Sequence, residues 1–255
     1  MKLRVLGCSG GVGAGLRTTS FLVDDDILID AGSGVGELTL DEMSKLRHLF
    51  ITHSHLDHIC LLPLLVDSIF DRLKEPLLVH AQPATLKALQ DHIFNWAIWP
   101  DFAKLPTPDK PVMRYVPMVP GEITCLEGRT FEMIPVNHIV PAVGYRVESQ
   151  DGPAFAFSGD TTTNDSFWAR VNAFARLDLL IVETAFSNAD EELSRLARHY
   201  CPNTLAADIV KLRHRPPIYL THNKPGEEQT IFNECTALLP SWNLKQLRGN
   251  EIFQL

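Results

Sequence analysis

The chain has 255 residues, enough for one large domain or two small ones, and 45% of them are hydrophobic, enough apolar material for a continuous core. A formal net charge of -8 excludes tight non-specific binding to nucleic acid, which depends on lysine and arginine meeting phosphates, although a local cationic cleft stays open. The cysteines (Cys8, Cys60, Cys125, Cys201 and Cys235) are odd in number, widely spaced and form no CxxC pair, which argues against a disulfide framework and for a reducing compartment.

In chain order, a first strand is expected over 3–6, and no apolar stretch at the start is long enough for a signal peptide. Strands over 20–23 and 27–30 flank Asp24-Asp25-Asp26, a hairpin turn. A helix follows over 36–46, then a strand over 48–52 that ends at a group of histidines. The helix expected over 58–73 contains the longest apolar run, 59–66, which Pro63 interrupts and which is far too short to cross a membrane. A strand over 77–81 and a helix over 84–95, opened by Pro83, come next. The stretch 96–111 is proline-rich (Pro100, Pro106, Pro108, Pro111) and reads as a long ordered loop. Phe94, Trp96, Trp99 and Phe102 there offer either a stacking face for a nucleobase or ordinary core or dimer packing, of which packing is preferred.

Strands are then expected over 113–116, 130–136, 143–147, 154–158, 179–183 and 218–221. Helices are expected over 166–176, 189–199, 203–213 (after Pro202) and 227–239. No repeat, Ser/Gly linker or long charge run divides the chain, so a single α+β domain over 1–255 is expected, with two stacked sheets under outer helices. The whole reads as a soluble, cytoplasmic protein.

The segment Thr52-His53-Ser54-His55-Leu56-Asp57-His58 brings three imidazoles and a carboxylate together at a strand-to-helix turn, where side chains can converge without bending a regular element. Such donors suit zinc, iron or manganese better than magnesium or calcium. A solvated histidine-rich loop is the bland alternative, and the density of potential ligands outweighs it. One cluster cannot complete two metal shells. His138, Asp160 and His222 each follow an apolar strand: Ile134-Pro135-Val136, Phe155-Ala156-Phe157-Ser158-Gly159 and Ile218-Tyr219-Leu220-Thr221. Singly each reads equally as a turn or capping residue. Their recurrence favours ligands.

This HxHxDH motif with a later histidine, aspartate and histidine resembles the metallo-β-lactamase superfamily, as do Gly7-Cys8-Ser9-Gly10-Gly11 and Ile29-Asp30-Ala31-Gly32. The resemblance covers nearly the whole chain and implies a four-layer αββα sandwich with two divalent metal ions, zinc foremost, at one edge. It implies that His53, His55 and His138 hold one ion, that Asp57, His58 and His222 hold the other, and that Asp160 bridges them. Zinc-dependent β-lactamases commonly have cysteine where Asp160 stands, so that activity is not implied.

Glu183, ending Leu179-Leu180-Ile181-Val182, and His199, before Tyr200-Cys201-Pro202, resemble the phosphodiesterase branch, in which a glutamate orients a histidine over the substrate phosphate. His53-Ser54-His55-Leu56-Asp57-His58, Ile181-Val182-Glu183-Thr184-Ala185-Phe186 and Leu220-Thr221-His222-Asn223-Lys224-Pro225 resemble class II cyclic-nucleotide phosphodiesterases, although Leu61 stands where that signature has glycine. The resemblance implies a small phosphodiester substrate, with His199 as proton donor to the leaving oxygen and Asp57 sharing the proton work. Lys224 reads as a phosphate neutraliser or a solvated lysine, and Asp30 as hydrogen-bond partner of a ligand histidine or a turn residue. The branch includes homodimers. Three rivals remain: an RNA 3′-end processing nuclease, which needs a basic gripping surface; a thioester or lactone hydrolase, which needs neither Glu183 nor His199; and a metal protein without enzyme activity.

Overall fold

Short apolar strands whose successive side chains point to opposite faces assemble into two seven-stranded sheets. The computed structural model describes residues 1–255. The first half contains β1 (Lys2–Gly7), β2 (Ser20–Val23), β3 (Ile27–Ile29), α1 (Leu40–Met43), β4 (His48–Phe50), α2 (Leu56–Ile59), α3 (Leu62–Ser68), β5 (Leu77–Ala81), α4 (Pro83–His92), the short pair β6 (Pro106–Thr107) and β7 (Lys110–Pro111), and β8 (Met113–Pro117). The second contains β9 (Ile123–Leu126), β10 (Arg129–Pro135), β11 (Val143–Ser149), β12 (Ala154–Phe157), α5 (Ser166–Asn172), β13 (Leu179–Glu183), α6 (Glu191–Ala197), α7 (Pro202–Ile209), β14 (Ile218–Thr221), α8 (Glu228–Leu238), β15 (Leu244–Gln246) and β16 (Ile252–Gln254).

The strand orders are β16-β1-β2-β3-β4-β5-β8 and β15-β14-β13-β12-β11-β10-β9. In the first sheet β16 to β3 pair antiparallel and β3 to β8 pair parallel. The second repeats the pattern, antiparallel from β9 to β12 and parallel from β12 to β15. The architecture is thus doubled although the sequence carries no visible repeat.

Period-two burial sorts the apolar residues into three layers. Phe21, Ile29, Phe50, Phe131, Tyr145, Phe157 and Ile181 fill the space between the sheets. Leu28, Leu49 and Val79, on the opposite faces of β3, β4 and β5, pack beneath Leu62, Leu65 and Leu89 of α3 and α4. Ala156, Leu180, Val182 and Leu220 do the same beneath Trp168, Leu205, Ile209 and Ile231 of α5, α7 and α8. The result is the αββα sandwich that the motif resemblance implies.

Several elements differ from expectation. The helix expected over 36–46 is a 3-10 turn (Ser33–Glu37) followed by α1, because Thr39 forms a capping box with Glu42 and starts a new helix there. The helix expected over 58–73 splits into α2 and α3, with Pro63 in the first turn of α3, where its missing N–H is harmless. β9, β15 and β16 went unrecognised: β15 and β16 have three residues each, β9 has four, and all three are sheet edges. In the proline-rich loop Phe94 and Phe102 are buried in the core and Trp99 packs against it, while Trp96 stays exposed. These aromatics serve packing, not a common stacking face. No helix is long and apolar enough to cross a membrane.

Phe131 stacks on Phe50 at 4.3 Å between ring centroids, at the centre of the inter-sheet layer. Phe131→Ala is expected to destabilise the fold by roughly 3–5 kcal/mol, read as a lower urea midpoint at unchanged slope. His80 stacks on Phe50 from the other side at 4.4 Å and is hydrogen-bonded to His48. Burial lowers its pKa to about 4. The unfolded chain therefore takes up a proton near pH 6.5 that the folded chain refuses until about pH 4, so stability falls as pH falls through that window, by roughly 3 kcal/mol. The stability difference between the native protein and His80→Gln should narrow by about that amount between pH 7 and pH 4; a constant difference would count against it.

Candidate metal centre

Strands β3, β4, β10, β12, β13 and β14 deliver polar residues at their carboxyl ends, the edge where open sheets of this kind bind ligands. Asp30 follows β3, and His53, His55, Asp57 and His58 lie in the β4–α2 turn and first helical residues. His138 follows β10, Asp160 follows β12, Glu183 closes β13 and His222 follows β14. Gly159 makes the approach of Asp160 possible: its φ is +60°, and a Cβ there would meet the Val143 carbonyl at 2.4 Å.

The structure brings all seven sequence-selected donors together in two groups: His53, His55, His138 and Asp160, and Asp57, His58, His222 and Asp160. Within each group the ligand atoms lie within 4.8 Å of one another. Asp160 Oδ2 stands 3.2 Å from both His58 Nε2 and His222 Nε2 and 3.6 Å from His53 Nε2. His55 Nδ1 and His138 Nε2 are 3.2 Å apart. Donors sharing one tetrahedral zinc at ordinary bond lengths stand roughly 3.3 Å apart, so the spacing fits a cation. So do the buried atoms left without a hydrogen bond: His53 Nε2 and His58 Nε2, which face Asp160 Oδ2, and Asp160 Oδ1.

The other ring nitrogens are engaged, which fixes the tautomers. His58 Nδ1 donates to Asp30 Oδ2 at 2.7 Å. The Thr52 hydroxyl donates to the same carboxylate and accepts from His53 Nδ1 at 3.0 Å. His138 Nδ1 donates to the Arg198 carbonyl at 3.0 Å. Asp30 is thus a partner of a ligand-set histidine and not a simple turn residue. Burial pushes His138 down to about 4 and His222 to about 3, so their lone pairs are available at neutral pH. At His58 burial works against the proton, but Asp160 and Asp30 on either side outweigh it and raise the pKa; the position calls for positive charge.

Glu183 and His199 also meet. His199 Nδ1 donates to Glu183 Oε1 at 2.9 Å, and the glutamate accepts in addition from the backbone N–H groups of Thr161, Ala185 and Tyr200. Burial opposes the charge on His199, but Glu183 more than compensates and holds its pKa above the ordinary value. The ring lies 4.9 Å from that of His138 and stacks on that of His222 at 5.4 Å. Lys224 donates to the Gly10 carbonyl at 3.0 Å, so part of its role is to tie down the first loop.

Sequence reasoning missed Thr52 and Arg198. Thr52 lies just beyond the apolar strand β4, and nothing in its neighbours marks it. Arg198 adopts a left-handed conformation (φ 54°, ψ 52°) that closes α6, aims its carbonyl at His138 Nδ1 and lets its guanidinium Nη1 donate to the His138 carbonyl at 2.9 Å. A glycine there would have signalled the turn.

Comparison with known proteins agrees with this geometry. A family model described as the beta-lactamase superfamily domain matches residues 25–222. A probable 3′,5′-cyclic-nucleotide phosphodiesterase from Yersinia pestis is 27% identical, over 88% of this chain and 78% of that protein. A ribonuclease Z from Halorubrum lacusprofundi is 31% identical, over 60% of this chain and 50% of that protein. The crystal structure of unliganded yeast PDE1 superposes with a TM-score of 0.84 at 17% identity, covering 100% of this chain and 99% of that one, a likeness of fold. With the family model spanning most of its length, on a fold and a histidine–aspartate edge of the matching kind, the chain belongs to the beta-lactamase superfamily.

Proposed function

We propose that this metal-dependent hydrolase is a phosphodiesterase with a dinuclear centre, acting on 3′,5′-cyclic nucleotides or related small phosphodiesters. His53, His55 and His138 would hold one ion, Asp57, His58 and His222 the other, and Asp160 would serve both; zinc suits this donor set, and manganese or iron would accept it. When bound, such ions act as Lewis acids on a phosphoryl oxygen and make water a nucleophile near neutral pH.

The observation that carries the reading is the buried Glu183–His199 pair set against both donor groups. With Nδ1 committed to Glu183, the protonated ring can give its Nε2 proton to a departing sugar oxygen. Asp57, about 30% exposed, would share in proton transfer beside the ligands. Lys224 presents a cation next to His222 that can neutralise a phosphate oxygen. The phosphodiesterase relative supports this substrate class. The ribonuclease Z relative keeps an RNA-processing reading in play, against which stands the net charge of -8. Cysteines without disulfides support a reducing, cytoplasmic setting.

The test is turnover by metal-loaded protein of cyclic AMP, cyclic GMP, bis(p-nitrophenyl) phosphate, a tRNA precursor and a thioester. Phosphodiester cleavage that a chelator abolishes and zinc restores is expected, and hydrolysis of the thioester alone would overturn the reading. His199→Ala should lower kcat for the phosphodiester about 10²- to 10⁴-fold at unchanged metal content. Because Glu183 raises the pKa of His199 and the protonated ring is the donor, the rate should hold at lower pH and decline as pH rises through that pKa. Glu183→Gln removes the charge, so the decline should move to lower pH; a profile that stays in place would exclude the pair from proton transfer.

A further inference from the structure

Next to the metal centre lies a separate polar cavity of about 690 Å³. Asn137, Thr162, Thr163, Arg195, Arg198 and Asn203 form most of its wall. Its one hydrophobic lining residue is Ala207, so it offers no face on which a nucleobase could stack. Its one acidic residue, Glu191, is taken up by Arg195 and by the Asn203 amide. The Arg198 guanidinium therefore leaves a net positive charge here, on a chain whose overall charge is -8. Chemistry of this kind, guanidinium groups with hydroxyl and amide donors and no apolar wall, suits a phosphoryl oxyanion.

The cavity is fixed in position relative to the reacting centre. Arg198 grips His138 from both sides, through its carbonyl and its guanidinium, and the next residue is His199. Asn137 directly precedes His138, and its carbonyl accepts from the Thr162 backbone N–H, two residues beyond Asp160. The cavity is thus lined by residues directly joined to those of the metal centre. The left-handed Arg198 adds a second sign: strain of this kind at a non-glycine residue persists where the surroundings impose it, commonly at ligand clamps.

We propose that this cavity is a subsite for a second phosphoryl group of the substrate. It deepens the phosphodiesterase reading and rests on it. A cyclic mononucleotide, whose one phosphate is scissile, leaves the cavity unused. A short linear phosphodiester carrying another phosphate engages both places at once, with Arg198 and Arg195 on the second phosphate and the metal centre on the first. The subsite acts on binding and so on KM, since its contacts are made equally in the ground state and the transition state.

The test compares the dithymidine phosphodiester TpT with pTpTp, which differs only in terminal phosphates on either side of the scissile bond, at fixed ionic strength with metal-loaded protein. The native enzyme should show a KM for pTpTp about tenfold below that for TpT, the size of one charge-assisted contact at an open site. Thr163→Glu places a negative charge in the cavity and keeps the bond that Asn137 makes to the Thr163 backbone carbonyl. It should erase the preference while leaving TpT turnover within about twofold of native. Arg195→Gln should reduce the preference about threefold. Equal KM values in the native enzyme, or a preference that survives in both variants, would overturn the subsite alone. No turnover of either dinucleotide, with or without terminal phosphates, would overturn the phosphodiesterase reading and the subsite with it.

Discussion

The structure depends on a buried carboxylate. Asp160 is about 1% exposed and is ringed by His53, His58 and His222, in a place where water cannot solvate the charge. An isolated carboxylate so placed would cost several kcal/mol, more than most single contacts in the fold return. Of the surrounding rings His58, held above its ordinary pKa by Asp160 and Asp30, can offset part of that charge by taking up a proton, whereas burial keeps His53, His138 and His222 neutral. Neutral lone pairs and one negative charge converging on the same space make a site for cations. The unpartnered atoms at the centre have the same explanation, because each is a donor with nothing in the protein to bind.

The convergence is held from outside. Asp30, fully buried, accepts from Thr52 and from His58, and so fixes two ligand-set rings through one carboxylate. Asp30, Arg198 and His222 are three of the seven non-glycine residues with positive φ, and all three lie at this edge. Each such residue costs of order 1 kcal/mol or more and persists only where the surrounding structure over-determines it. At His222 the turn lets the backbone N–H donate to the Cys8 carbonyl while the ring faces Asp160, so the last donor is pinned to the first strand. Gly10 must be glycine for the same approach: a Cβ would meet the His222 carbonyl at 2.2 Å.

The sequence made the centre legible where chemistry was concentrated. The turn from Thr52 to His58 stands out because its donors are packed into one short segment, and His138, Asp160 and His222 because each follows an apolar strand at the same edge. Strands with clean alternation were legible for a related reason: one face of each must be apolar. What stayed hidden had no local signature. β15 and β16 gain their pairing from neighbours far away in the chain, with β16 adding to β1. Arg198 works through its backbone carbonyl, which any residue possesses, and Thr52 through a hydroxyl set between two others that become neighbours only on folding. The doubled sheet pattern was invisible because strand direction is a property of connections and leaves no repeat in side chains.

Glu183 ties the His199 imidazole to the metal-ligand set. The same oxygen that orients His199 accepts the N–H of Thr161, the residue directly after Asp160. A shift of the strand-end turn that moved Asp160 would therefore also move the glutamate relative to the imidazole. His138 is tied to Arg198, and Arg198 is bonded in sequence to His199, which closes the loop from the other side. In the proposed reaction such a framework would keep the donor proton at a set distance from the departing oxygen, and misplacement by about an ångström would cost much of its catalytic value. A thioester's thiolate demands less of an acid than a sugar alkoxide does, so a donor this firmly held fits the proposed phosphodiester better than a thioester.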